Sequence, residues 1–306
     1  MKNLLKLGDL TEQEITAILN TADQLKFELK NGIEHHYCKN KTLAMIFAKA
    51  STRTRVSFET GIFQLGGQGL FLSTHDLQIG RGEPIQDTAR VLSRMVDCIM
   101  IRTFAQEDVE NLAKYGDIPI INGLTDYCHP CQVLADLMTV REYKGSLKGL
   151  KMTFVGDGNN MANSLIVGGI KTGMSVTIAC PDDYKPDAEL IKWGTSLGKL
   201  TITNNVIEAC KDADVLYTDV WASMGQESEK AVREKAFKGF QINADVMKVA
   251  KPDAMVLHCL PAHREEEITN EVFEAHAAEI FDEAENRLHA QKAVMVHLMA
   301  PDKVKG

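Results

Sequence analysis

Two arginines stand among three hydroxyl side chains in Ser51-Thr52-Arg53-Thr54-Arg55, a stretch that directly follows an apolar run at 43–48. The apolar residues after it recur at helical spacing, so the stretch is predicted to begin a helix. A helix N-terminus presents unpaired N–H groups and the positive end of the helix dipole, and both favour an anion. Arginine forks and hydroxyl groups match phosphate oxygens. The pattern predicts a phosphate site, with an ordinary helix cap and two solvated arginines as the alternative.

Three more polar residues in the first half stand where strands end or helices begin. Arg102 comes directly after the apolar run 98–101, at the predicted carboxyl end of a strand. His129-Pro130-Cys131-Gln132 precedes an apolar stripe at helical spacing, and a histidine and a glutamine three residues apart can face the same side of a helix. Taken alone, a histidine at a helix start such as His129 is more often a helix cap or a surface residue.

A cysteine follows the last apolar run of the second half, in His258-Cys259-Leu260-Pro261. The thiol has five interpretations: a redox partner, a metal ligand, a nucleophile, a polar contact for a substrate, or a small core residue. Judged only by its neighbours, Cys259 fits the core best, because the run 254–257 before it is apolar.

Two short motifs resemble functional sites of other protein classes, a dithiol redox centre and a dinucleotide-binding turn. Cys128 and Cys131 form a C-x-x-C pattern typical of dithiol redox centres, but a thioredoxin domain is far shorter than this chain. These thiols together with His258 and Cys259 lack any recognisable zinc-finger spacing, so we assign no metal ion.

The second motif is a G-x-G turn at Gly156-Asp157-Gly158, after a predicted strand and before a predicted helix. It resembles a dinucleotide-binding fingerprint, which makes an NAD-dependent dehydrogenase the alternative from a different functional class. Met161 stands where the fingerprint has its third small residue, so we expect no cofactor.

Short apolar runs alternate with helical patterns twice along the 306 residues, which predicts an α/β protein of two domains, each a mainly parallel sheet flanked by helices. A capping box at Thr11 begins a helix over 12–30, and a last helical stretch ends near Met299. The glycine-containing segment 144–149 is the best boundary between the halves. We expect domains at 1–145 and 146–285, with a C-terminal helix at 286–306 packing back on the first domain.

The composition of the chain argues against nucleic-acid-binding and membrane-spanning proteins. A net charge of -8 argues against nucleic acid as a partner, and no apolar run approaches the length of a membrane span. The N-terminus lacks the apolar core of a secretory signal, and the seven scattered cysteines suit a reducing compartment, so the expected location is cytoplasmic.

The S-T-R-T-R stretch and the later H-P-x-Q at 129–132 together resemble the hallmarks of the aspartate/ornithine carbamoyltransferase family. Members of this family transfer a carbamoyl group from carbamoyl phosphate to an amine. Arg287, in the segment 281–287, matches the family's late arginine, which reaches the carbamoyl oxygen, and Gln78 matches a loop residue that reaches a neighbouring subunit's site. The resemblance implies a homotrimer. It also implies that carbamoyl phosphate contacts Ser51, Thr52, Arg53, Thr54, Gln78, Arg102, His129, Gln132, Cys259, Leu260 and Arg287.

Two motifs in the second half resemble motifs of the family members that use ornithine. The stretch 219–225 reads D-x-W-x-S-M-G and 258–261 reads H-C-L-P. Asp219 suits a cationic amine, and the resemblance makes Cys259 a substrate contact and not a covalent nucleophile. The implied ornithine-binding residues are Asn160, Asp219, Ser223 and Met224. The implied catalytic residues are Arg53, Arg102, His129, Asp219, Cys259 and Arg287.

The implied reaction is attack of the δ-amine of L-ornithine on carbamoyl phosphate, giving L-citrulline and phosphate. An acceptor such as putrescine or an N-acylated ornithine remains the alternative within the family.

Overall fold

The structure is a computed structural model that describes residues 1–222 and 227–304. The chain forms two compact units: unit 1 comprises Met1–Met138 together with the C-terminal segment from Glu285, and unit 2 comprises Thr139–Ala284. Each unit is built on its own parallel sheet, which confirms the fold class predicted from the alternating patterns. None of the helices in the described part of the chain combines the length and the apolar character needed to cross a membrane.

The sheet of unit 1 has four parallel strands in the order β2-β1-β3-β4. They are β1 (Thr42–Phe47), β2 (Gln68–Ser73), β3 (Cys98–Arg102) and β4 (Ile120–Leu124). The central strands β1 and β3 are almost continuously apolar because helices cover both faces of a parallel sheet. Strand β4 begins only at Ile120, since Pro119 has no N–H and contributes only its carbonyl, which accepts from Ile99 N at 3.0 Å.

Five helices accompany this sheet: α1 (Glu12–Lys30), α2 (Thr52–Gln64), α3 (Ile85–Leu92), α4 (Gln106–Tyr115) and α5 (Pro130–Lys144). Helix α1 begins with the predicted capping box, in which the Thr11 side chain accepts from Glu14 N at 3.1 Å. Short 3-10 helices lie at Leu7–Asp9 and Gln78–Arg81.

The sheet of unit 2 has five parallel strands in the order β7-β6-β5-β8-β9. They are β5 (Lys151–Val155), β6 (Ser175–Ala179), β7 (Leu200–Thr203), β8 (Val215–Thr218) and β9 (Met255–His258). Its helices are α6 (Asn160–Lys171), α7 (Ala188–Ser196), α8 (Val206–Cys210), α9 (Lys230–Ala236), α10 (Ala244–Val249) and α11 (Asn270–Ala275). A 3-10 helix precedes α9 at Glu227–Glu229.

The last helix, α12 (Ala277–Met299), begins in unit 2 and belongs to unit 1 from Glu285 onward, and a 3-10 turn at Pro301–Lys303 follows it. In unit 1 it packs on α1 and α2. Lys26 of α1 donates to Asn286 at 2.8 Å, and a Cβ added to Gly61 of α2 would lie 3.0 Å from the Met295 side chain. The predicted return of the C-terminal helix to the first domain is therefore confirmed.

The two packing units divide inside α5 and inside α12. The sequence-based boundary lies later, in the loop 144–149. The domain ranges 1–145, 146–285 and 286–306 stay a prediction about the chain.

The buried His289 and the half-buried His297 on α12 make the stability of unit 1 sensitive to acid. Burial lowers the pKa of His289 to about 4, and burial also lowers the pKa of His297 below its ordinary value. Between pH 6.5 and 4 the unfolded chain therefore binds a proton at His289 that the folded chain does not, so the free energy of unfolding falls as the pH falls through this window.

We expect His289→Gln to make this pH dependence shallower by at most about 1.4 kcal/mol per pH unit, the slope of one proton. The measurement is urea unfolding from pH 7 down to pH 4. The control is His36→Gln, because His36 is exposed and should leave the slope unchanged. An unchanged slope in the His289 variant would contradict the prediction.

Candidate active site

The S-T-R-T-R stretch forms the start of α2, directly after β1. Ser51 is the N-cap, with extended backbone, and its Oγ accepts from Thr54 N at 3.2 Å. Thr52 is the first helical residue and Arg53 the second, so the hydroxyl groups and a guanidinium lie at the end of the helix where an anion is favoured. The structure thus confirms the helix start on which the predicted phosphate site depends.

The two arginines of this stretch have different environments. Arg55 is exposed, pairs with Glu59 at 3.1 Å one turn later, and lies over the ring of Phe71 at 3.7 Å. Arg53 is half-buried and close enough to His129 to influence its pKa. Only Arg53 therefore contributes to the cluster that the next residues form.

Two arginines from distant parts of the chain converge on the hydroxyl group of Thr54. Arg102, the last residue of β3, donates to Thr54 Oγ1 at 3.4 Å, and Arg287 of α12 donates to the same oxygen at 3.2 Å. Thr54 is fully buried, and only 8% of Arg102 and 3% of Arg287 are exposed. Two guanidinium groups so close together concentrate positive charge beside the start of α2, which favours an anionic ligand.

Arg287 also fixes Gln132, the residue three positions after His129. The Arg287 Nη1 donates to Gln132 Oε1 at 2.6 Å, and Gln132 Nε2 donates to Asp136 at 2.8 Å. The amide of Gln132 is therefore oriented from both ends. Its predicted contact with a carbamoyl group stays a prediction.

His129 lies in the same cluster and is buried. Burial lowers the pKa of His129 well below its ordinary value, and the nearby charges of Arg287, Arg102 and Arg53 lower it further. The imidazole is therefore neutral at physiological pH. A neutral histidine surrounded by arginines can donate one hydrogen bond without taking up a proton, which suits a group that meets developing negative charge on a substrate oxygen.

Gln78 is exposed on the 3-10 turn that follows β2. Its predicted contribution to a neighbouring subunit's site stays a prediction.

In unit 2, three donors converge on the carboxylate of Asp219, which lies just after β8. Val220 N donates to Oδ1 at 2.8 Å, Asn159 Nδ2 donates to Oδ2 at 3.0 Å, and the Cys259 thiol donates to Oδ1 at 3.1 Å. Strands β8 and β9 are neighbours in the sheet, so their carboxyl ends bring Asp219 and Cys259 together. Ligands in parallel sheets bind at this edge.

The backbone at Cys259 is held by a buried pair, His258 and Glu267. Leu260 N donates to His258 Nδ1 at 2.9 Å, and His258 Nε2 lies 3.0 Å from Glu267 Oε1. Because Nδ1 accepts from the backbone, the ring hydrogen resides on Nε2 and is donated to Glu267. Asp219, His258 and Cys259 offer ligand atoms within 4.8 Å of one another, but both ring nitrogens of His258 are already engaged, which argues against a metal ion there.

The G-x-G turn has a structural explanation. Gly158 packs against the backbone of 184–186, where an added Cβ would lie 2.3 Å from Pro186 N. Between the two glycines, the buried carboxylate of Asp157 pairs with Arg233 at 2.7 Å. A buried carboxylate at this position would repel a pyrophosphate, so the turn does not favour a dinucleotide.

Two neighbouring asparagines follow this turn, and only the second was predicted to bind substrate. Asn160, predicted to bind ornithine, is the first residue of α6. Asn159 is the N-cap of that helix and also donates to Asp219. The position of Asn159 directly before α6 is the feature of the sequence that could have indicated its role as a helix cap. Ser223 and Met224 lie outside the described residues.

The C-x-x-C pair does not form a redox centre in the structure. Burial raises the pKa of Cys128 and of Cys131 to about 12. The Cys131 thiol donates to Asn122 O at 3.3 Å, and the Cys128 thiol approaches Leu5 O at 3.6 Å. Buried thiols with raised pKa values are poor nucleophiles, so these two act as core residues.

Comparisons with known proteins agree with this geometry. Residues 2–142 match the family model of the aspartate/ornithine carbamoyltransferase carbamoyl-P binding domain, and residues 148–298 match that of the Asp/Orn binding domain. The chain is 54% identical to the ornithine carbamoyltransferase of Thermococcus kodakarensis, covering 99% of this chain and 98% of the relative. It is 56% identical to that of Pelobacter propionicus, covering 97% of this chain and 98% of the relative.

Solved structures are similar over the same extent. The ornithine carbamoyltransferase of Pyrococcus furiosus has a TM-score of 0.93 at 53% identity, covering 97% of each chain. The anabolic ornithine carbamoyltransferase of Campylobacter jejuni has a TM-score of 0.92 at 44% identity, covering 97% of this chain and 99% of that chain. With both halves matched by the family models and relatives above half identity along nearly the full length, the chain belongs to the aspartate/ornithine carbamoyltransferase family.

Proposed function

We propose that this chain transfers the carbamoyl group of carbamoyl phosphate to the δ-amine of L-ornithine, giving L-citrulline and phosphate. The observation that carries the proposal is the convergence of Arg102 and Arg287 on Thr54 at the start of α2, beside the neutral His129. A doubly charged phosphate with an adjacent carbonyl is the kind of ligand that this set of donors fits.

Unit 1 binds the donor substrate. The N-terminus of α2, with Ser51, Thr52, Arg53 and Thr54, holds the phosphate. Arg102, His129 and Arg287 donate toward the carbonyl oxygen, and Gln132 contacts the carbamoyl amide. As the amine attacks, negative charge develops on that oxygen, and fixed donors of this type each lower the barrier by roughly 3 to 4 kcal/mol.

Unit 2 binds the acceptor substrate. Asp219 accepts from the δ-amine, Asn160, Ser223 and Met224 contact the rest of ornithine, and the Cys259 thiol lies beside the amine. The carbonyl groups of Cys259 and Leu260 accept from the carbamoyl amide. The attacking amine must be uncharged, and an alkylamine has a pKa near 10.4, so activity rises on the alkaline side of neutrality. The departing phosphate accepts the amine's proton, and no separate general base is needed.

Three observations support a metabolic role, a cellular location and an oligomeric state for this chain. Those of Pyrococcus furiosus and Campylobacter jejuni are named anabolic, which favours arginine biosynthesis for this chain. The seven cysteines carry no disulfide and six of them are buried, as a cytoplasmic protein would have them. The exposure of Gln78 is consistent with a homotrimer in which it completes a neighbouring site.

Citrulline formation tests the proposal directly. Purified protein given carbamoyl phosphate and L-ornithine should release citrulline and phosphate in equal amounts. Omission of ornithine should abolish citrulline. Phosphate release without citrulline would overturn the proposal.

A further inference from the structure

Gln291 lies on α12 one turn after Arg287 and is fully buried between this helix and α2. Its side-chain amide reaches Ser57 of α2 at 2.5 Å and the guanidinium of Arg287 at 2.9 and 3.0 Å. It therefore connects a predicted catalytic arginine to the helix that begins at the phosphate site.

The guanidinium of Arg287 determines which way this amide points. Its Nε and Nη2 only donate, so the Gln291 atom that faces them must be the amide oxygen. The amide nitrogen then donates to Ser57 Oγ, which leaves the Ser57 hydroxyl to donate to the carbonyl of Arg53 at 2.7 Å. In that orientation the amide oxygen of Gln291 accepts from both Nε and Nη2 of Arg287. The opposite orientation would place the amide NH2 group against guanidinium N–H groups, donor against donor.

The guanidinium of Arg287 is thus held on three sides. Gln291 takes Nε and one hydrogen of Nη2, Thr54 accepts from Nη2 at 3.2 Å, and Gln132 accepts from Nη1 at 2.6 Å. Nε is the point where the planar group joins its flexible stem, so a bond there fixes the plane of the guanidinium. Thr54 and Gln132 are themselves expected to contact substrate. Gln291 has no predicted substrate contact, so its bonds to Arg287 serve to hold the guanidinium in place.

We propose that Gln291 is a positioning residue for the reaction: it orients Arg287 toward the carbonyl oxygen of the bound donor and, through Ser57, ties that arginine to the first turn of α2. The inference rests on the proposed function, in which Arg287 stabilises the charge that develops on that oxygen. It predicts a loss that appears in kcat more than in the KM for carbamoyl phosphate, because the phosphate contacts at the start of α2 stay in place.

The test uses Gln291→Met, which keeps the length of the side chain and removes its polar atoms. We expect kcat for citrulline formation to fall about tenfold, the scale of a small displacement of a catalytic group, with the KM for carbamoyl phosphate changing less than about threefold. Gln291→Glu keeps an oxygen for both N–H groups of Arg287 and should restore kcat to within about threefold of the wild type. Ser57→Ala removes the link to α2 and leaves the bonds between Gln291 and Arg287, so its loss of kcat should be smaller than that of Gln291→Met. An equal loss in Ser57→Ala would place the effect in the packing of α2 against α12 and overturn the inference.

A double-mutant cycle separates positioning from general stability. In the Arg287→Ala background, Gln291→Met should lower kcat no further, since the group that it orients is gone. An equal tenfold loss in that background, or a wild-type kcat in Gln291→Met, would overturn the inference. If Gln291→Met does not fold by circular dichroism, Gln291→Asn replaces it in the same cycle, with the same two outcomes. Wild-type protein that forms no citrulline in this assay would instead overturn the proposed function.

Discussion

Replacement of Arg53 by alanine should lower kcat/KM for carbamoyl phosphate about 10³-fold, the loss expected when a fixed donor to a charged substrate is removed. Arg53 is the second residue of α2 and lies in the arginine cluster around His129. Its guanidinium is half-buried, whereas that of Arg55 is exposed, pairs with Glu59 and lies over the ring of Phe71. Steady-state citrulline formation and a binding titration with carbamoyl phosphate both measure the effect.

Arg55→Ala is the control for this experiment. It removes the same charge from the same helical turn, two residues away, but from an exposed side chain. We expect its kcat/KM to stay within about threefold of the wild type, since exposed ion pairs contribute little. Equal losses in the two variants would mean that overall charge, and not the geometry of the helix start, determines donor binding.

Asp219→Asn should raise the KM for ornithine roughly 10- to 100-fold and leave the affinity for carbamoyl phosphate unchanged, because a hydrogen bond to a charged group contributes about 1.5 to 3 kcal/mol. The Asp219 carboxylate is oriented by Val220 N, Asn159 and the Cys259 thiol. Asparagine has nearly the same shape but loses the negative charge that accepts from the δ-amine. Separate titrations with each substrate distinguish the two affinities.

Asp245→Asn is the matched control for Asp219. Asp245 lies in unit 2 as well, but in an exposed ion pair with Lys248 on α10. Its ornithine KM should not change. A carbamoyl phosphate affinity that falls as much as the ornithine affinity in Asp219→Asn would show that the residue maintains the fold of the unit and does not select the acceptor.

Much of the fold follows from local patterns. The apolar runs at 43–48, 98–101 and 254–257 form strands β1, β3 and β9, and their ends differ from the runs by at most one residue. Buried parallel strands are continuous apolar runs bounded by polar residues or glycine, so their existence and ends are encoded locally. Helix α1 was equally predictable, because Thr11 and Glu14 form a capping box.

The candidate site was only partly predictable. Ser51 as an N-cap and Arg102 at a strand end could be placed from their neighbours in the sequence. The convergence of Arg102 and Arg287 on one hydroxyl joins residues nearly two hundred positions apart, and only the resemblance to the family indicated it. Local patterns carry no information on which distant side chains share a partner.

Gln291 and Asn159 show what sequence reasoning missed. Gln291 stands between Ala290 and Lys292 in α12, and nothing in its neighbourhood distinguishes a buried, hydrogen-bonded glutamine from a solvated one. The sequence indicates Asn159 as a helix cap. Its other hydrogen bond, to Asp219, depends on the pairing of the neighbouring strands β5 and β8. The C-x-x-C spacing could be set aside only by chain length, because burial, which determines the reactivity of the two thiols, is a tertiary property.

The measurement that tests the central claim most directly is a comparison of acceptors in a single carbamoyl transfer assay. L-Ornithine, putrescine, N-acetylornithine and L-aspartate are supplied side by side with carbamoyl phosphate, and each carbamoylated product is quantified by mass spectrometry. The proposed function predicts citrulline as the dominant product, formed about 10³-fold less efficiently in Arg53→Ala. A dominant product from any of the other three amines, or citrulline formation in Arg53→Ala at a rate close to that of the wild type, would contradict it.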